Sequence, residues 1–180
     1  MESKKSQGPS RATLVSSAVV VCAVLVGAAY FMRDEGVTTV VAPSSPAASA
    51  LQPLFERCKG EPNVEVVDGL TRTTCTSQTH PAFMVYQDVN DSVIVRAGLM
   101  VPMYGRAEDL TERKLVGLEM FSLMAGQPAE SFLTPEMVAD IGVRTTRVLR
   151  EGLAYGTQPM ANVGLVFTVT PAAADPAAPN

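Results

Sequence analysis

The residues whose side chains could most readily react are the three cysteines, Cys22, Cys58 and Cys75. Cys58 and Cys75 are the only two cysteines beyond the apolar N-terminal segment, and in an oxidising compartment two such thiols favour a disulfide. Closing a loop of roughly 15 residues stabilises the fold by about 3 kcal/mol. We therefore predict a Cys58–Cys75 bridge between the first helix and the second strand. The alternative is two separate buried thiols that pack as small apolar groups.

Further chemical motifs are weak. His80 is the only histidine, and it precedes Pro81 in a connecting segment with no recognisable nucleophile or orienting acid beside it. One histidine and two paired cysteines do not make a four-ligand zinc site.

The acidic group at Asp88, Asn90 and Asp91 lacks the glycine and glutamate of a calcium loop and is better explained as turn chemistry. No Cys-x-x-Cys pair, glycine-rich phosphate loop or Gly-x-Ser-x-Gly elbow occurs. We predict no enzymatic activity, no metal and no cofactor; the alternative, an enzyme with an unfamiliar site, would require polar residues that converge around His80 or the acidic turns.

Three arginines, Arg144, Arg147 and Arg150, recur at a spacing of three. On a helix this spacing forms a basic stripe, which suits contact with an acidic partner surface or with anionic lipid. The alternative is a solvated face whose last arginines complement the helix dipole.

The N-terminus contains the most apolar segment of the chain. Residues 1–11 are a polar lead, and residues 12–32 contain no charged side chain. About twenty apolar residues span the hydrocarbon core of a bilayer as a helix. We predict an uncleaved signal-anchor helix over 12–32; a cleaved signal peptide and a helix buried in a larger assembly are the alternatives. Ala23 and Gly27 form a small-xxx-small pair suited to helix dimerisation, although such residues are common in spanning helices.

Basic residues predict the orientation of this anchor. Lys4, Lys5 and Arg11 precede the apolar segment, whereas Arg33 alone follows it closely. Because positive charge favours the cytoplasmic side, we expect a single-pass protein of the inner membrane with its N-terminus in the cytoplasm and its C-terminal domain in the periplasm of a bacterium.

Composition divides the remainder of the chain. Residues 33–50 are rich in Ala, Ser and Pro and are interpreted as a linker. Residues 171–180 consist mainly of Ala and Pro and are interpreted as a disordered tail. Residues 51–170 form the exported domain. Its size matches one small domain that benefits from a covalent cross-link.

Periodicity predicts the elements of this domain. A short helix with one apolar face runs from Leu51 to Gly60. Strands are then predicted at 64–67, 70–76, 83–87 and 93–101, with Asp68-Gly69 as a hairpin turn and Asn90-Asp91 as a polar turn.

Two helices and a last strand complete the prediction. Asp109 and Glu112 resemble a capping box for a helix that stops at Gly126, and Thr134-Pro135 begins a helix that is predicted to run to Gly152. A final strand covers 163–170. The order α-ββββ-αα-β predicts an α+β fold, a largely antiparallel sheet with helices on one side, and leaves the position of the last strand open.

Function is predicted mainly from placement. The formal net charge of −4 disfavours nucleic acid as a partner. We predict a non-enzymatic envelope protein that binds another protein or forms a homo-oligomer. The alternative is a domain that binds a small apolar ligand or lipid in a pocket lined by Met and Phe. The methionines at 100, 103, 120 and 124 are expected to fill gaps in the core. The alternative for these methionines is that their thioethers bind a soft metal.

Overall fold

A computed structural model describes residues 45–78, 80–102, 109–161 and 163–172. In this part of the chain there are three α-helices: α1 (Gln52–Phe55), α2 (Asp109–Ala125) and α3 (Pro135–Asp140), with a short 3-10 turn at Ala129–Ser131. The strands are β1 (Asn63–Val67), β2 (Leu70–Ser77), β3 (Phe83–Asn90), β4 (Val93–Pro102), β5 (Thr146–Arg150), β6 (Leu153–Met160) and β7 (Gly164–Pro171).

The strands form one antiparallel sheet in the order β1-β2-β3-β4-β7-β6-β5. The predicted α+β class and antiparallel sheet are therefore confirmed. The last strand lies in the interior, between β4 and β6, and β1 and β5 are the two edges. In sequence, α2, α3 and the β5–β6 hairpin lie between β4 and β7. The pairing of β4 with β7 joins β1–β4 and β5–β7 into one sheet.

Three hairpins turn through two residues, and in each turn both residues have a positive φ. The turns are Asp68-Gly69, Asp91-Ser92 and Glu151-Gly152. Positive φ at both central positions is the requirement of a type I′ turn, whose twist matches that of the strands it joins. The predicted hairpin at Asp68-Gly69 is thus confirmed, whereas the turn predicted at Asn90-Asp91 lies one residue later, because Asn90 still pairs with Val93.

The predicted helix from Thr134 to Gly152 is wrong beyond its first turns. Its start is correct, because the Thr134 hydroxyl accepts a hydrogen bond from the Met137 amide at 3.3 Å. The helix ends at Asp140, because Ile141 leaves the helical conformation with a ψ of 123°, and Gly142 follows with a φ of 85°. The β-branched residues that follow form β5 instead, and Gly152 belongs to a hairpin turn rather than to a helix end.

A β-bulge interrupts the predicted alternation of β4. Asp88 of β3 pairs with Arg96, and its neighbour Val89 pairs with Ile94, so Val95 is an extra residue on β4. Strict alternation would place Ile94 and Ala97 on opposite faces of the sheet. The bulge instead turns Ile94 to the same face as Ala97, where it is fully buried in the core.

The hydrophobic core lies between one face of the sheet and the helices. This face, which we call the core face, contributes Phe83, Val85, Leu99, Phe167 and Tyr155. From the helical side come side chains of α1, α2 and the segment around α3: Leu54, Phe55, Val116, Met120, Phe121, Met124, Leu133 and Ile141. The Phe121 ring packs edge-on against Tyr155 at 5.4 Å and Phe167 at 5.6 Å. These rings account for much of the contact between α2 and the sheet.

Gly117 allows α2 to approach the sheet closely, because a Cβ atom at this position would overlap the Phe167 ring. In an exposed helix Gly→Ala stabilises by about 1 kcal/mol. Here we expect Gly117→Ala to lower the free energy of unfolding by roughly 1–3 kcal/mol through overpacking. Urea unfolding of the full chain measures the change. In a Phe167→Leu background the same substitution should be neutral or stabilising; stabilisation by Gly117→Ala in the wild-type background would contradict this packing.

The predicted membrane span at 12–32 and the tail from residue 173 lie outside the described residues. Among the residues that are described, no helix is long and apolar enough to cross a membrane. The end of the predicted linker does contact the domain: the Ile94 amide donates to the Pro46 carbonyl at 2.7 Å, and the Ala48 amide donates to the Ser92 carbonyl at 2.9 Å. Ordered contacts of the domain therefore begin before Leu51.

Candidate functional site

Four charged residues of alternating sign lie side by side across β1 to β4. Glu65 pairs in register with Arg72, Arg72 with Asp88, and Asp88 with Arg96. Directly paired residues of neighbouring strands point to the same face of a sheet. The four side chains therefore form a line on the second face of the sheet, opposite to the core face, and we call this line the charge row.

The centre of the charge row is a buried, hydrogen-bonded ion cluster. Arg72 donates two hydrogen bonds to Asp88, from Nε to Oδ1 at 2.7 Å and from Nη2 to Oδ2 at 2.9 Å. Arg96 Nε donates a third hydrogen bond to Asp88 Oδ2 at 2.8 Å. The Asp88 side chain is 0% exposed and that of Arg72 is 4% exposed. Hydrogen bonding to Asp88 raises the pKa of Arg72 above its ordinary value, against the opposing effect of burial.

Tyr86 packs beside this cluster. Its ring covers Gly98 on β4, where a Cβ atom would overlap the ring, and the Arg72 guanidinium lies 5.5 Å from the ring centroid. An aromatic ring over a strand glycine protects the backbone, and a cation near the ring face is attracted to it. The centre of the charge row is therefore buried and hydrogen-bonded, and only its outer end, Glu65, is an exposed side chain on an edge strand.

The outer end of the row belongs to the most exposed strand of the sheet. Residues 63–66 of β1 are all exposed, and among the described residues β1 pairs with β2 alone. Val64 and Val66 point to the core-face side but lie beyond the core: Val64 is 61% exposed and Val66 is 76% exposed. Of the features that commonly protect a sheet edge, the strand carries one charged side chain, Glu65, and lacks a proline, a lysine and a bulge. We call Asn63–Val67 the β1 edge.

The predicted arginine stripe is not a helical stripe. Arg147 and Arg150 lie in β5 at an odd spacing and therefore on opposite faces of the sheet, and Arg144 precedes that strand. Arg144 forms an ion pair with Asp140, and Arg150 contacts both Glu151, at 3.3 Å, and the face of the Phe132 ring. The structure does not bring the three guanidinium groups together on one surface.

The predicted Cys58–Cys75 disulfide is present. It joins the turn after α1 to β2, with the two Cα atoms 5.9 Å apart, within the usual range for such bonds. Cys75 is buried in the core, so the bridge fastens α1 over the same sheet face that α2 covers. This bridge lies on the core-face side of β2, whereas Arg72 of the charge row lies on the other side of the same strand.

His80 and the methionines have structural surroundings. His80 Nδ1 lies 3.0 Å from Glu112 Oε2, and both side chains are exposed, which links the β2–β3 connection to α2. Met120 and Met124 are buried among the rings of the core. Within the described ranges, no group of three or more His, Cys, Asp or Glu side chains is arranged to hold a metal ion.

Sequence reasoning missed the charge row, and it explained Asp88 wrongly as a turn residue, since Asp88 lies within β3. One pairing was accessible: the two-residue turn at Asp68-Gly69 places Glu65 opposite Arg72. The other two pairings depend on the β2–β3 connection and on the bulge at Val95, for which the sequence offers no clear signal.

The geometry of the row and the β1 edge suits pairing with another strand. An exposed edge strand offers backbone N–H and C=O groups, and side chains on each face then select the incoming segment. Comparison of the chain with protein-family models, with curated proteins and with solved structures gave no match.

Proposed function

We propose that this chain is a single-pass membrane protein whose domain outside the cytoplasm binds another protein through the β1 edge. Residues 12–32 serve as its signal anchor, residues 33–50 tether the domain, and the domain acts by binding rather than by catalysis. The observation that carries the proposal is the β1 edge itself, an exposed edge strand without proline, lysine or bulge, in which Val64 and Val66 are exposed to solvent.

Two features support the proposed location. The basic residues before the apolar segment favour a cytoplasmic N-terminus, which puts the following domain on the other side of the membrane. The Cys58–Cys75 disulfide fits that side, because disulfides persist in the periplasm and other oxidising compartments. In a bacterium the domain would therefore face the periplasm.

The structure around β1 supports strand addition. Docking surfaces built on a rigid scaffold lose little conformational entropy on binding. The β1 edge is held by β2, which is anchored on one face by the Cys75 disulfide and on the other by the Arg72–Asp88 hydrogen bonds. An incoming strand would thus extend a preformed sheet.

Lysine substitutions on the β1 edge test this proposal. Val64→Lys with Val66→Lys should reduce retention of the partner by about tenfold or more, because lysines on an edge strand oppose pairing with a further strand. Both side chains are exposed, so stability should change little. Retention is measured on the full chain by crosslinking in source membranes, capture through a C-terminal tag and quantitative mass spectrometry.

The matched control is Val143→Lys, since Val143 is 73% exposed and lies outside the strands. This variant should retain the partner at the wild-type level. Equal retention by the wild-type chain and the β1 variant would contradict docking at the β1 edge. Recovery of further copies of this chain alone would contradict the proposal that the partner is another protein.

A further inference from the structure

The charge row is incomplete at its outer end. From the interior of the sheet outward its charges are positive at Arg96, negative at Asp88, positive at Arg72 and negative at Glu65. Arg72 and Asp88 each have an opposite charge directly across on both neighbouring strands, whereas Arg96 and Glu65, at the two ends of the row, have one on one side only. Glu65 has Arg72 on its inner side, and its outer side faces the sheet edge.

We infer that the partner segment is an extended strand with a lysine or arginine opposite Glu65. This inference rests on the proposed function and names the chemistry of the partner. A cation at that position would continue the alternation to a fifth strand, because directly opposite side chains on one face attract when their charges differ and repel when they match.

The other face of β1 defines the neighbours of this cation. Val64 and Val66 flank Glu65 in sequence and point to the opposite face, so residues beside the partner's cation lie across from the two valines. Apolar, β-branched residues would cover these exposed side chains. The expected recognition pattern is therefore an apolar residue, a basic residue and a second apolar residue in a strand.

The negative charge of Glu65 disfavours a second copy of this chain as the occupant. In antiparallel pairing of two β1 edges centred on Glu65, two Glu65 carboxylates would lie directly opposite each other. Like charges at such positions are destabilising. The row consequently favours a segment of a different protein that supplies the missing positive charge.

Two synthetic peptides test the inference. Thr-Val-Lys-Val-Thr and Thr-Val-Glu-Val-Thr have sequences that read the same in both directions, so parallel and antiparallel docking place the same residue types opposite β1. The wild-type full chain in detergent should bind the lysine peptide more tightly by roughly two- to thirtyfold, from the combined attraction and repulsion of cross-strand charges. Fluorescence anisotropy at millimolar peptide concentrations measures both affinities.

Variants of the chain separate the pairing from general electrostatics. Glu65→Lys should reverse the preference, Glu65→Gln should abolish it, and Glu61→Lys, which makes the same change in net charge at an exposed residue before the strand, should preserve it. A lysine peptide with methylated backbone nitrogens should bind poorly, because it lacks the amide donors of a strand.

The outcomes distinguish this inference from the proposed function. Absence of binding by both peptides, or a preference that does not follow the charge at residue 65, would overturn the inference. If partner retention in membranes still depended on Val64 and Val66, the β1 edge would remain the docking site and the basic recognition residue alone would be wrong. If retention did not depend on the valines, the proposed function would fail.

Discussion

Replacement of Asp88 by asparagine is expected to lower the free energy of unfolding by about 3–5 kcal/mol, the largest effect of any single substitution considered for this chain. The Asp88 carboxylate accepts three hydrogen bonds from Arg72 and Arg96 and is fully buried. Asparagine keeps the size of the side chain but removes its charge and one acceptor. Both guanidinium groups would then lose their buried counter-charge. Arg72, which is almost completely buried, would keep only the exposed Glu65 across from it.

Urea unfolding of the full chain, followed by circular dichroism, measures this loss. Asp91→Asn is the matched control, because it makes the same chemical change three residues away in an exposed turn with positive φ, where asparagine is well tolerated. The control should remain within about 0.5 kcal/mol of the wild type. If Asp88→Asn also remained within that limit, the buried cluster would not be the stabilising contact that its geometry indicates.

Replacing the whole cluster should be less harmful than breaking it. With Arg72→Met, Asp88→Leu and Arg96→Met combined, no buried charge remains unpaired, and apolar residues of similar size often substitute for buried ion pairs at little cost. We expect this triple variant to recover most of the stability that Asp88→Asn loses. A triple variant less stable than Asp88→Asn would indicate that the cluster contributes net stability beyond satisfying its own charges.

Loss of the Cys58–Cys75 disulfide is expected to reduce the free energy of unfolding by about 3 kcal/mol. The sequence separation of the two cysteines is 17 residues, and the chain-entropy model gives this value for a closed loop of that size. The loop contains the β1 edge, so the bridge also restricts the strand that is proposed to bind the partner. The double variant Cys58→Ser with Cys75→Ser is compared with the wild type by urea unfolding.

Thiol labelling provides the control for this prediction. Without reductant, alkylation followed by mass measurement should modify Cys22 alone, and after reduction all three cysteines should be modified. Cys22→Ser should leave the free energy of unfolding of the domain unchanged. Alkylation of Cys58 and Cys75 in the unreduced chain would show that the bridge is absent from the native protein.

The sequence was sufficient to predict the parts of the fold that depend on local chemistry. The turn at Asp68-Gly69, the N-cap at Thr134 and the end of α2 at Gly126 each follow from residues within a few positions of one another. The disulfide was predictable because only two cysteines lie beyond the apolar segment.

The missed elements required long-range information. Arg147 and Arg150 have helical spacing, yet the strand pairing of β5 with β6 overrides that local pattern. The charge row joins residues 16 and 8 positions apart, and its register depends on one five-residue connection and one bulge. A two-residue turn at Asp91-Ser92 without the bulge would have placed Asp88 opposite Val95 rather than Arg96.

The most direct test of the central claim, that the β1 edge docks a partner protein, is site-specific photocrosslinking in membranes of the source cells. A photoreactive amino acid is placed at Val66, at Val143 as the control of equal exposure, and at Leu149 on the opposite edge strand, which is 57% exposed. We expect one discrete crosslinked partner from residue 66 and none from residues 143 and 149. No product at residue 66, or the same products at all three positions, would contradict the assignment of the β1 edge as the binding site.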